Sequence, residues 1–144
     1  MSKNTLINIL FLGSILFIMK LTIFPQESLG IGSDSGGINL VPFRTSGYIF
    51  LHETFIKFII NILGNIILFL PFGLFLTMRF KKINRLWKCI VFGSIFSISI
   101  EIVQLSIPNR WTDVDDVILN TLGTAIGYAI YKIIDKKKMY LQED

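Results

Sequence analysis

The chain has 144 residues, 52% of them hydrophobic and 17% charged, with a mean hydropathy of +0.63. Soluble domains carry about 25% charged residues, so this balance excludes an ordinary soluble domain and points to a multi-pass membrane protein. The single cysteine, Cys89, excludes an internal disulfide and a multi-cysteine metal site, and the single histidine, His52, excludes an HExxH zinc site.

The first apolar run, Thr5–Phe24, is broken only by Lys20. It is longer than a signal-peptide core and no A-x-A-like site follows, so it is expected to be a retained first span. Three further runs follow at Phe55–Met78, Leu86–Ile107 and Val117–Ile134, each long enough to cross a hydrocarbon core of about 30 Å. The expected fold is therefore an all-α membrane protein, a single domain over 1–144 built as a four-helix transmembrane bundle.

Charge orients it. The net charge of +4 sits at the ends of the apolar runs, which favours a role in membrane orientation over nucleic-acid binding. Arg79, Lys81, Lys82, Arg85 and Lys88 surround the second connection, Lys132, Lys136, Lys137 and Lys138 follow the last span, and Lys3 precedes the first. The positive-inside rule places these regions in the cytoplasm and gives an N-in, C-in topology. One long outer loop, Pro25–Thr54, and one short one, Pro108–Asp116, carry only Arg44 and Arg110 as basic residues. The long loop has a Gly/Ser-rich first half, expected to be flexible, and an apolar second half, INLVPFRTSGYIF, expected at the membrane interface.

Ionisable residues inside spans are costly, at about 2.5–3.5 kcal/mol for a charge at a helix centre, and they usually face the protein interior. Helical spacing puts Lys57, Asn61 and Asn65 on one face of the second span. Ser94, Ser97, Glu101 and Gln104 form a similar stripe on the third, and Asp116, Asn120, Gly123 and Gly127 on the fourth. At 1.5 Å per residue, Asn61 and Asn65 lie about 6–12 Å below Lys57, and Glu101 lies about 9 Å below the outer end of its helix. All three stripes are thus most polar in the outer half of the bilayer, beneath Arg44, Arg110, Asp113 and Asp115. One polar pocket open to the outer leaflet is expected.

Plainer readings stand beside this one. The asparagines can simply join helices, at about 0.6 kcal/mol per hydrogen bond. Gly123-x-x-x-Gly127 reads as helix packing, and Lys57 can snorkel to headgroups. Asp113, Asp115 or Asp116 can cap the last helix, and Pro71 can kink the second span. Glu101 is the hardest to explain by packing alone. An ion pair with Arg110 or Arg44 is one expectation for it.

Three segments carry a resemblance to a known family: N-L-V-P-F-R at Asn39–Arg44, N-x-x-x-N-I-x-L-F-x-P-F-G at Asn61–Gly73, and E-x-x-Q-x-x-x-x-x-R-x-x-D-x-x-D-x-x-x-N-x-x-G-x-x-x-G at Glu101–Gly127. In this order they resemble the VanZ-like family. The resemblance implies a small multi-pass bacterial membrane protein, with a part in resistance to teicoplanin-type, lipid-bearing glycopeptides that does not remake the D-Ala-D-Ala target. The residues it carries over are Asn39, Pro42, Arg44, Asn61, Asn65, Glu101, Gln104, Arg110, Asp113, Asp116 and Asn120.

Three functions are compatible with these residues. The first is a binding or shielding protein of the bacterial cytoplasmic membrane. Its pocket would hold the headgroup of a membrane lipid or lipid-linked cell-wall precursor, or the lipid-bearing end of the antibiotic, with Arg44 and Arg110 pairing with phosphate or carboxylate. It needs no cofactor and no metal. The second is an intramembrane hydrolase or transferase with Glu101 as acid or base and Mg²⁺ on Asp113, Asp115 and Asp116. The third is a small transporter or flippase, for which a homodimer could complete the path.

Overall fold

The apolar runs become helices because a chain in hydrocarbon must satisfy its backbone groups internally. A computed structural model describes residues 2–24, 37–108 and 110–140, with side chains as far as residue 136. The Gly/Ser-rich half of the long loop expected to be flexible lies outside the described residues. Helix α1 spans Lys3–Ile23, strand β1 Ile38–Asn39, α2 Arg44–His52, α3 Phe55–Arg79, α4 Leu86–Gln104, β2 Thr112–Asp113 and α5 Val114–Tyr140. Among the described residues, α1, α3, α4 and residues 114–136 of α5 are long and apolar enough to cross a membrane. The all-α membrane bundle is as expected.

Two boundaries shift at the corner between α4 and α5, and α5 runs on to Tyr140 rather than ending at Ile134. Helix α4 stops at Gln104 rather than Ile107, and α5 starts at Val114 rather than Val117. The earlier start has a local cause. Asp113 Oδ1 accepts the N–H of Asp115 at 2.9 Å and so caps the helix. The interfacial half of the long loop is folded rather than extended. It supplies β1, which pairs in parallel with β2 through Ile38↔Thr112 and Asn39↔Asp113, and the short helix α2.

Helix α3 packs mainly on α5 and then on α1, and α4 also packs on α5. The seam between α3 and α5 is built on glycine. A Cβ on Gly123 would lie 2.2 Å from the Ile66 carbonyl oxygen, one on Gly127 2.2 Å from that of Leu70, and one on Gly73 2.1 Å from that of Thr124. The backbones therefore touch, and the spacing read as helix packing is that. Helix α3 continues unbroken through Pro71. Phe69, Phe72, Leu76, Ile100 and Ile18 fill the core, while outward side chains such as Leu16 and Ile56 are 67% and 69% exposed, as lipid-facing residues must be.

Candidate functional site

Most of the residues singled out above meet at the end of the bundle where α4 passes into β2 and α5 begins. Glu101 is 6% exposed on the last turn of α4, Gln104 and Arg110 are 7% exposed, and Asn120 is 2% exposed. Polar groups this deep must find partners, and each partner says what its side chain does.

The Glu101 carboxylate accepts the backbone N–H of Asp113 at 2.8 Å, and Thr112 Oγ1 donates to the Glu101 carbonyl at 3.2 Å. Glu101 thus fastens the β2 segment to the end of α4. On the other side of that segment, Asn39 Nδ2 donates to Asp113 Oδ1 at 2.9 Å and to Thr45 Oγ1 at 3.1 Å. Asp113 therefore links α4, α5 and the β1–α2 loop in one chain of hydrogen bonds.

Asp115 serves a different element. Its Oδ2 accepts both the N–H and the Oγ–H of Ser46 at 2.9 Å, and its Oδ1 accepts the N–H of Phe43. These are donors at the start of α2, where a carboxylate is favoured. They also hold Phe43 in the left-handed region at φ 62, an uncommon backbone for a bulky residue. Asp116 pairs elsewhere again, accepting from Asn65 Nδ2 at 2.8 Å, while Asn65 also donates to the Asn61 carbonyl at 3.2 Å. Lower in the bundle, Asn120 Nδ2 donates to Ser97 Oγ at 2.9 Å and joins α5 to α4.

Arg110 does not form the expected ion pair. Its guanidinium donates to the carbonyls of Leu21 and Thr22 in the last turn of α1, and Gln104 Nε2 donates to the same Thr22 carbonyl at 2.8 Å. The carbonyls that end a helix lack internal partners and carry partial negative charge, so a buried cation fits there. The Glu101 and Asp116 carboxyls are near enough to act on Arg110 electrostatically. Burial pulls its pKa down from the ordinary guanidinium value, and Asp116 and then Glu101 oppose that. An ion pair does form between Lys57 and Glu53, at 2.8 Å on the exposed surface.

The structure therefore brings together Asn39, Asn61, Asn65, Glu101, Gln104, Arg110, Asp113, Asp116 and Asn120, and leaves Arg44 outside. Arg44 is the exposed first residue of α2, and Pro42 just before it is exposed too. The three aspartates face different partners. Among the described residues no group of three His, Cys, Asp or Glu side chains is placed to hold a metal ion together.

The network is not self-sufficient. Asn61 Oδ1, Gln104 Oε1, Arg110 Nε and Asn120 Oδ1 are buried with no protein partner among the described residues. Each such atom costs about 1–3 kcal/mol unless something meets it. Three acceptors and one donor of this centre thus lack a protein partner among the described residues, and Asn8 Oδ1 near the start of α1, away from the centre, is a fifth such atom.

Several contributors escaped the sequence reading. Thr22 and Leu21 act through carbonyl oxygens, which no side-chain pattern advertises. Ser46 and Thr45 carried no signal beyond their place beside the apolar loop. Spacing suggests a cap or metal ligand for Asp115, and its reach across to α2 has no local signature.

The VanZ/LLP1 family model matches residues 11–135, and these enclose every residue of the polar centre. Protein VanZ of Enterococcus faecium is 34% identical over 99 residues, covering 69% of this chain and 55% of that protein. The chain thus spans about half the length of that curated relative. No solved structure matches the chain. With the family match running through both the spans and the polar centre, this chain belongs to the VanZ/LLP1 family.

Proposed function

We propose that the chain lies in the bacterial cytoplasmic membrane with both ends inside, and that its polar centre faces the outer leaflet and binds the headgroup of a lipid-linked envelope molecule. The basic residues of the α3–α4 turn and of the α5 tail support the orientation. By its family, the protein contributes to resistance against glycopeptides of the teicoplanin type. It does so by occupying or shielding a lipid-linked cell-wall precursor, or by holding the drug's own lipid-bearing end.

The observation that carries this reading is the reserve of four buried, unpaired polar atoms on Asn61, Gln104, Arg110 and Asn120. A purely structural network would gain by pairing them. A ligand offering acceptors to Arg110 and donors to the amide oxygens would complete it. Arg44, exposed beside the anchored start of α2, is free among the described residues to present its planar fork to a phosphate or carboxylate at the rim. The Glu101 carboxylate accepts the Asp113 N–H and so helps to organise the centre, in keeping with a binding role.

The test is teicoplanin susceptibility of a sensitive Gram-positive host expressing wild type or Arg110→Lys at matched membrane levels. Lysine keeps the charge at the α1 terminus but lacks the Nε–H and the fork. The expected result is protection by wild type and loss of most of it in the variant. Equal protection by both would remove Arg110 from the site, and no protection by wild type would remove the resistance role.

A further inference from the structure

The face between α1, α3 and α4, running from the α3–α4 turn up to Ser99, holds a cavity that the polar centre does not use. A cleft of about 440 Å³ runs between α1, α3 and α4, walled by Phe11, Phe72, Leu76, Phe80, Phe92 and Phe96. A second hollow of about 300 Å³ shares Ile83 and Phe92 with it and adds Lys82, Trp87 and Lys88. The apolar slot therefore adjoins a second, mainly apolar hollow whose edge carries two lysines, here called the mouth. Their shared floor is Ile83, 8% exposed, in the tight turn Lys81–Ile83.

The mouth is organised rather than merely charged. Lys88 Nζ donates to the Lys82 carbonyl at 3.0 Å and lies 5.7 Å from the Trp87 ring centroid, which holds the ammonium beside the opening. Arg79 sits 5.1 Å over the ring of Phe80, itself a wall of the slot. Trp87 is 58% exposed, as suits an aromatic at the level of the headgroups. Other cations of the same end are placed differently. Lys132 lies over Tyr128 at 6.0 Å and lines neither hollow.

We propose that slot and mouth together bind one anionic phospholipid of the adjoining leaflet, an acyl chain lying among the phenylalanines and the phosphate meeting Lys82 and Lys88. Basic pockets between spans select anionic headgroups because the charge is met where the chains are already ordered. A zwitterionic lipid fills the slot equally well but gains less at the mouth. The site is independent of the ligand of the polar centre and of whether resistance is the protein's role.

The experiment is native mass spectrometry of the full chain in micelles given equal amounts of dioleoylphosphatidylglycerol and dioleoylphosphatidylcholine. Wild type is expected to retain the anionic lipid in preference. Each basic side chain near an anionic headgroup is worth about fivefold in binding, so Lys82→Gln with Lys88→Gln lowers that retention roughly 30-fold and leaves the zwitterionic lipid unchanged. Ile95→Trp and, independently, Ser99→Phe plug the slot from its exposed side and lower retention of both lipids. Lys132→Gln leaves retention as in wild type. Equal retention of the two lipids by wild type overturns the proposal. So does a loss in Lys132→Gln as large as in the double variant, which would show diffuse attraction to basic charge.

Discussion

At the Asp113 end of the bundle, Glu101, Gln104, Arg110 and Asn120 are at most 7% exposed, and every one is bonded to another element. At the Lys82 end, Arg79, Lys81, Lys82 and Arg85 stand in the open, and the neighbouring cavity is lined by aromatic rings. The same residue classes thus serve opposite purposes. Exposed charges cost little and set which way the chain faces. Buried ones are expensive, so they persist only where they hold elements together or await a ligand. The polar end does the first, and the proposal is that it also does the second. Its donors fasten α1, α2, α4 and α5 around one short strand pair, and four atoms remain unspent.

Substitutions at the two ends should therefore differ in cost. The largest effect is expected at the seam that carries both ends. Gly127→Leu drives a side chain into the Leu70 carbonyl and should cost about 3 kcal/mol or more, read as loss of the folded species in SDS titration of mixed micelles. Next is Asp115→Ala, which strands the donors of Phe43 and Ser46. A loss of about 3 kcal/mol is expected, concentrated in α2 and seen as faster hydrogen exchange over residues 43–52. Normal protection there would mean the clamp is incidental. Glu101→Gln retains an oxygen for the Asp113 N–H and should cost about 1 kcal/mol or less. Lys82→Gln, at the open end, should stay within about 0.5 kcal/mol by the same titration. A cost at Lys82 equal to that at Asp115 would erase the distinction between the ends.

Orientation is checked without energetics. In a Cys89→Ala background, Tyr48→Cys should react with an impermeant maleimide added to whole cells, and Asn84→Cys only after lysis. The reverse pattern would turn the bundle over.

Much of this arrangement is legible in the sequence because it rests on period and composition. Hydropathy marks the four spans, and the i, i+4 stripes on α3, α4 and α5 do converge, as Asn65 with Asp116 and Asn120 with Ser97 show. Small residues four apart foretell the α3–α5 seam. What is not legible depends on the backbone or on distance along the chain. Arg110 turns to the carbonyls of α1 rather than to Glu101 because a helix terminus presents acceptors that no residue type reveals. Asp115 crosses to α2, 69 residues away in sequence from its partner Ser46, and spacing within one helix says nothing of such a reach. Arg44 shares its segment with Asn39, yet the turn at Phe43 sends one inward and the other out.

Whether the polar centre binds a ligand is decided by the affinity of purified protein, in nanodiscs, for a lipid-linked cell-wall precursor and separately for teicoplanin, with wild type compared to Arg110→Lys. A hydrogen bond from a charged group contributes about 1.5–3 kcal/mol, so the account predicts saturable binding of one of the two, weakened roughly 10- to 100-fold in the variant with unchanged folding. Equal Kd for wild type and variant, or no binding of either molecule, would contradict it and leave the polar centre as architecture alone.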